Sequence, residues 1–390
     1  MTEARDDRKR DAWRAATFFF AYFASAGVYS TYLAVWLTER GLTPSQIGLV
    51  IALVSTTRIF GPNLWGEVAN RSGRVAVWIR TGVAAAMLGA VLLIIAQGAL
   101  WLGALLFVIG VATAGAISLN ETLLMRLVGD DTKTYGRARA FGSAGFVAGV
   151  MLSGLIFQWT GIGWFAVLYA VVMVAAVWAA KRLPEVSVSA TRVAHEPLSA
   201  LLRRSEVVVF YLLCFLMVVA QGPFLAFLSL HLIESGYGKI GVSTLWTVGV
   251  IAEILVFLRL RRVEGTERIH VLMLFAFLLT GVRFILTGWL AASPVVAFAA
   301  QALHAFTFGV FHVCAMQRIR ALFAPAHYAH AQGLYIAISY GVGGLAGAAI
   351  SGWIYEHAGG AWAFTFGGAV ALIGAAVVTN LLRQGLPSRR

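Results

Sequence analysis

The chain has 390 residues, 60% of them hydrophobic and only 12% charged, with a mean hydropathy of +0.82. A soluble domain carries about a quarter charged residues, so composition excludes one and points to a protein that crosses a membrane many times. The net charge of +13 does not mark a nucleic-acid surface, because the cations sit in alternate short loops between apolar runs.

In chain order, the tail MTEARDDRKRDAW has no cleavage site and leads into an apolar run too long for a signal-peptide core, which reads as a permanent helix. The apolar runs predict helices near 13–37, 45–69, 75–96, 100–127, 136–160 and 164–181. After a polar stretch, 182–205, they predict 206–233, 240–259, 269–291, 295–320, 328–356 and 361–382. One set of ends collects Arg8, Lys9, Arg10 and Arg14, then Arg71 and Arg74, Lys133 and Arg137, Lys181 to Arg204, Arg259 to Arg268, and Arg318 with Arg320. The opposite loops hold only Arg40 and Lys239. The positive-inside rule then places both termini in the cytoplasm of a multi-pass protein of the inner membrane. Cys214 and Cys314 lie in apolar segments, where they build neither a disulfide framework nor a metal site.

The sequence repeats internally. WLTERG (36–41) aligns with HLIESG (231–236), a shift of 195 residues, and SGLIFQWTGIGW (153–164) aligns with SGWIYEHAGGAW (351–362), a shift of 198. The expected fold is therefore all-α: twelve transmembrane helices in two pseudo-symmetric six-helix bundles, 1–181 and 206–390, joined by a loop at 182–205. Small residues in GSAGFVAG (142–149) and GVGGLAG (341–347) suit close helix packing.

Ionisable residues deep in such helices cost roughly 2.5–3.5 kcal/mol each and mark sites or structural ion pairs. Arg58, Glu121, Arg139, Glu253, Arg283, His304 and His312 are of this kind. Arg58 lies thirteen residues before Arg71, about 20 Å of helix from the basic end, and Glu253 is its repeat equivalent. Tyr29, Tyr32, Trp246 and Phe311 are candidates to line a cavity, with helix packing as the plain alternative. Three fixed cations against two carboxylates leave room for one substrate carboxylate, which arginine binds through two parallel hydrogen bonds.

ETLLMRLVGDDTKTYGRAR puts Glu121 eighteen residues before Arg139, which resembles the lactose permease group, where such a pair clamps the substrate. GVIAE ending at Glu253, GVRF with Arg283 and ALHAF with His304 resemble the same group, but Thr307 stands where that group has a glutamate. The chain is more similar to the phenylpropionate-permease group of the major facilitator superfamily in Arg58, LWTVGVIAE (245–253), YGRARAFGSAGF (135–146) and LHAFTFGVFHVCAM (303–316). It departs in lacking first-helix prolines and in GEVANRSGR (66–74), where Asn70 replaces the usual aspartate of a gating motif that includes Gly66, Arg71 and Arg74.

The resemblance implies a monomeric secondary transporter taking up a small aromatic carboxylate by alternating access. Arg58, Glu121, Arg139, Arg283, His304, Tyr29, Tyr32 and Trp246 would bind substrate. The proton would be the coupling ion, carried by Glu253 with His304 and Glu121, and Arg283 would lie close to Glu253. No catalytic residue, metal or cofactor is expected, and the partners are a small molecule and the bilayer. A symporter of sugars or nucleosides and a drug efflux pump are the alternatives.

Overall fold

The computed structural model describes residues 2–129, 131–185, 203–259 and 265–384, with side chains from residue 8 onward except that of Thr132. The expected central loop therefore lies largely outside the described residues, as does part of the basic loop after Arg259. Among the described residues every regular element is helical. Twelve helices are long and apolar enough to cross a membrane. They are α1 (Arg8–Glu39), α2 (Pro44–Ser72), α3 (Val75–Leu92), α4 (Ala99–Val128), α5 (Lys133–Thr160), α6 (Ile162–Lys181), α7 (Ser205–Glu234), α8 (Lys239–Arg259), α9 (Thr266–Leu290), α10 (Pro294–Leu322), α11 (Pro325–Ala358) and α12 (Gly360–Arg383). These are the twelve predicted spans, shifted by a few residues at most ends.

The repeat has a physical basis at the helix ends. After α1, Gly41 takes a φ of 83°, and its amide and that of Leu42 return to the carbonyls of Thr38 and Leu37. After α7, Gly236 takes a φ of 97°, and its amide and that of Tyr237 return to Ile233 and Leu232. Both helices thus close with the same left-handed glycine cap, a conformation that costs glycine nothing. Gly161 after α5 and Gly359 after α11 form a second matched pair.

Helix packing repeats as well. A methyl group placed on Gly145 or Gly149 of α5 would collide with the backbone of α1 at Phe20 or Ala24. Placed on Gly343 or Gly347 of α11, it would lie 3.1 or 2.9 Å from the carbonyl oxygens of Phe215 or Val219 in α7. These are the same two positions carried through the repeat, and close backbone approach explains why all four residues are glycine.

Contacts divide the chain into two compact units. The first is Met1–Leu42, Phe60–Thr191 and Gly238–Ser243; the second is Thr43–Ile59, Arg192–Tyr237 and Thr244–Arg390. They differ from the expected halves by two exchanged segments: the first half of α2 belongs to the second unit, and the start of α8 belongs to the first. In the second unit, Gly48 of α2 meets Gly352 of α11 backbone to backbone, and Glu356 accepts from the Ser45 amide at 2.8 Å. In the first unit, Ser243 of α8 sits against Gly154 of α5 and donates to the Val150 carbonyl at 2.7 Å.

The four broken helices place the polar residues. α4 is interrupted between Thr113 and Ala116, and α7 at Gln221, just before Pro223. α10 and α11 widen into π-helix over Ala305–Val310 and Ile336–Gly343. Such wide turns inside an α-helix recur at functional sites, because they re-aim side chains and loosen the backbone ladder.

Candidate functional site

Among the described residues, each unit brings charged groups together on its membrane-spanning helices. In the first unit, the break in α4 starts a fresh helical segment at Ala116, which carries Glu121 on its second turn. Glu121 Oε1 lies 3.3 Å from Nε of Arg139 on α5. The pair predicted from the eighteen-residue spacing is therefore formed. Both side chains keep a third or more of their surface accessible (33% for Glu121, 39% for Arg139), so the pair is presented rather than sealed. The Arg139 guanidinium also lies 5.0 Å from the Phe23 ring and 5.6 Å from Phe19, on α1, where the ring faces attract a cation. Next to Glu121, buried Asn120 donates to the Ala15 carbonyl at 3.2 Å and fixes this segment against α1.

The second unit is built differently. Arg283 of α9 has no accessible surface, yet none of its recorded partners is a carboxylate. Its Nε donates to the Ala300 carbonyl at 3.1 Å, and Nη1 donates to Thr307 Oγ1 at 3.1 Å and to Gln221 Oε1 at 3.5 Å. Nη2 donates to Gln301 Oε1 at 3.3 Å. The rings of Phe224 and Phe284 lie 4.2 and 5.3 Å away. Four of the five guanidinium N–H groups thus meet neutral oxygens, and among the described residues no carboxylate lies within 4 Å of the charge. Glu253 makes no ion pair with Arg283; the break of α7 at Gln221 and the π segment carrying Thr307 bring neutral acceptors to the guanidinium. Gln221 and Gln301 were not singled out from sequence, although two uncharged amides inside apolar runs are a readable signal.

Glu253 of α8 faces His304 of α10, with Oε2 3.7 Å from Nε2, wider than a hydrogen bond. His304 is buried, its Nδ1 meets no partner, and its ring lies between Phe308 at 5.3 Å and Phe224 at 4.9 Å. His312, two turns on, has Nδ1 3.2 Å from the Tyr335 hydroxyl and its ring parallel to that of Phe308. Arg58 belongs to this unit through the exchanged half of α2. It is exposed, and its guanidinium lies 5.7 Å from the ring of Tyr340, on the π segment of α11. A narrow cleft in this unit is lined by Val218, Gln221, Thr307, Phe308, His312 and Tyr340 among others. Its volume of about 10 Å³ is room for roughly one water.

The remaining predicted residues fall into buried or half-buried aromatics and a largely exposed loop motif. Tyr32 is fully buried, and its hydroxyl donates to the Lys239 carbonyl at 2.6 Å with Ser243 Oγ 2.8 Å away. Trp246 is buried and donates from Nε1 to Ser229 Oγ at 2.8 Å, with its ring 5.1 Å from Phe224. Trp246 therefore backs the Arg283 cluster through Phe224, whereas Tyr32 ties the start of α8 into the first unit. Phe311 is buried beside Phe277 and also borders the cleft. Tyr29 is half-buried against Tyr169 at 5.6 Å. In the loop motif, Arg71 pairs with Glu67 one turn back at 2.6 Å, both largely exposed, while Gly66 has open space around it. Asn70 and Arg74 are exposed, and the Arg74 amide donates to Ser72 Oγ at 3.3 Å. The motif spends its charge locally here, with no ion pair to another helix among the described residues.

The chain as a whole is similar to known transporters. The model of the MFS_1-like family matches residues 12–366. The chain is 24% identical over 347 residues to a probable 3-phenylpropionic acid transporter of Escherichia coli K12, covering 87% of this chain and 90% of that one. It is 24% identical over 353 residues to the maltose permease of Geobacillus stearothermophilus, covering 87% and 86%. The solved structure of the nucleoside transporter NupG superposes with a TM-score of 0.83 at 17% identity, over 96% of this chain and 99% of that one. A family match over most of the length, twelve membrane helices and transporter relatives together make this chain a member of the MFS_1-like family, a secondary transporter of the major facilitator superfamily embedded in the inner membrane.

Proposed function

We propose that the chain imports a small aromatic carboxylate together with a proton, by alternating access, with both termini in the cytoplasm. The observation that carries this reading is Arg283: a fully buried guanidinium held by four neutral acceptors, with no carboxylate within 4 Å among the described residues. Burying a charge without a counterion is costly, and a substrate carboxylate is the simplest partner that offsets it. The apolar and aromatic groups beside Gln221 and Thr307 in the cleft, Phe308, Phe311 and Leu225 among them, suit the ring of such an acid. The phenylpropionic acid transporter among the relatives supports the same class. The cleft is too narrow for a ring as it stands, so entry requires Phe308 and Tyr340 to move, and both sit on the π segments.

Coupling falls to Glu253 and His304, whose 3.7 Å separation leaves a protonatable carboxyl facing an imidazole near the substrate cation. Within the same unit, exposed Arg58 beside Tyr340 supplies a further polar group for substrate. The test is uptake into proteoliposomes under an imposed pH gradient, using phenylpropionate and related acids against maltose and uridine. Accumulation of the acids that collapses with the gradient is the expected result. Transport of maltose or uridine that the acids do not compete with would sink the reading.

A further inference from the structure

A cavity of about 440 Å³ lies in the first unit between the start of α1 and the end of α6, and it shares no residue with either charged cluster. Among the described residues it is lined by Arg14, Thr17, Ala179, Lys181 and Arg182. Three of these five are cations. Among the described residues the one carboxylate in ion-pair contact with them is Asp11, 2.7 Å from Arg14 Nη1. Glu185, a few residues beyond, accepts from the Ala76 amide at 3.0 Å and is directed to α3 instead. The cavity is thus net positive on its own walls.

The end of a helix ordinarily repels anions through its free carbonyls. Here two of those carbonyls, of Ala179 and Ala180, are covered. The amides of Arg182 and Leu183 return to Ala179 and Ala180 at 3.1 Å. Arg80 of α3 donates from Nε to the Ala180 carbonyl at 3.2 Å and from Nη2 to the Leu183 carbonyl. The Arg182 guanidinium lies 3.4 Å over the Trp178 ring, which fixes its plane and leaves its N–H edge to face oxygen ligands.

The surroundings identify the kind of anion. Val171, Val174 and Trp178 follow one another at one helical face of α6 and are 60%, 53% and 51% exposed, as is Trp13 at 51% on α1. Exposed apolar residues on a membrane helix face lipid, and tryptophans near its end sit at headgroup level. The cavity therefore opens where a lipid headgroup lies, with a stripe for its acyl chains running along α6. We propose that this cavity binds the phosphodiester headgroup of an anionic phospholipid, of the phosphatidylglycerol type, through Arg14, Lys181 and Arg182.

Native mass spectrometry of the full-length protein, released from mixed phosphatidylglycerol–phosphatidylcholine micelles, reads the retained lipid directly. The wild type is expected to keep phosphatidylglycerol over phosphatidylcholine. Arg182→Gln alone should weaken retention about fivefold, and each further neutralisation, Arg14→Gln and Lys181→Gln, by a similar factor. Arg71→Gln with Arg74→Gln, which removes two charges from another part of the chain against one in Arg182→Gln, should leave retention unchanged. Equal retention by the wild type and Arg182→Gln would overturn the assignment, and so would equal loss in the Arg71 and Arg74 variant. Displacement of the lipid by inorganic phosphate at equal concentration would assign the cavity to a free anion instead. The single variant keeps the test valid if the triple one does not fold.

Discussion

The two charged clusters solve the problem of charge in an apolar helix in opposite ways. Glu121 and Arg139 neutralise one another at 3.3 Å and stay partly accessible. Arg283 is sealed, and its charge is surrounded by dipoles and ring faces rather than by an opposite charge. A paired, accessible charge costs little to keep and contributes little when formed, typically up to about 1 kcal/mol. A buried charge without a counterion is a standing cost, and it persists only where something else offsets it. The proposed anion recognition therefore draws on the second unit, while the first holds a charge that is already paired.

The largest effect should come from breaking the sealed cluster. Arg283→Gln is expected to weaken binding of an aromatic carboxylate by about 2–5 kcal/mol, roughly thirtyfold or more, as when one member of a buried charged pair is removed. Isothermal titration calorimetry checks it. Arg283→Lys should recover only part of the loss, since an ammonium cannot reproduce the planar fork.

Next is Glu253→Gln. It should abolish accumulation driven by a pH gradient while leaving counterflow exchange of labelled substrate, measured in proteoliposomes. Accumulation undiminished in this variant would remove Glu253 as the proton carrier.

Smaller again is the contrast in helix packing. Gly149→Ala drives a methyl into the α1 backbone and should cost about 1–3 kcal/mol, whereas Gly343→Ala, with 3.1 Å to the nearest carbonyl, should cost less. Thermal unfolding of the two variants in detergent gives the order. Equal shifts would mean that the second unit is packed as tightly as the first.

The smallest effect is expected for Tyr32→Phe. Removing a hydroxyl bonded to Lys239 and Ser243 should lower stability by about 1 kcal/mol and leave the KM for uptake unchanged. A raised KM would return Tyr32 to the substrate site.

The features legible in the sequence are those set by local rules. Span number follows from bilayer thickness, the Gly41 and Gly236 caps from left-handed backbone, and the Glu121–Arg139 pair from two helices joined by a short loop. The surroundings of Arg283 were not legible, because they depend on where α7 breaks and α10 widens. Those local irregularities carry Gln221 and Thr307 to the guanidinium and leave Glu253 facing His304. Nor does sequence periodicity reveal that Tyr32 and Trp246 turn their polar atoms onto Lys239 and Ser229, since an aromatic on a membrane helix reads the same lining a cavity or filling a core.

The exchanged segments bear on how the chain can be divided. A cut in the central loop would leave Thr43–Ile59 in the amino-terminal fragment, although its packing partners, Gly352 and Glu356 on α11, lie in the other. The carboxy-terminal fragment would in turn carry off Gly238–Ser243, which closes over Tyr32, Val150 and Gly154. Neither fragment alone contains a complete compact unit. Co-expressed together, the two have complementary edges to recognise, which makes this chain a natural candidate for split-protein reassembly at 182–205.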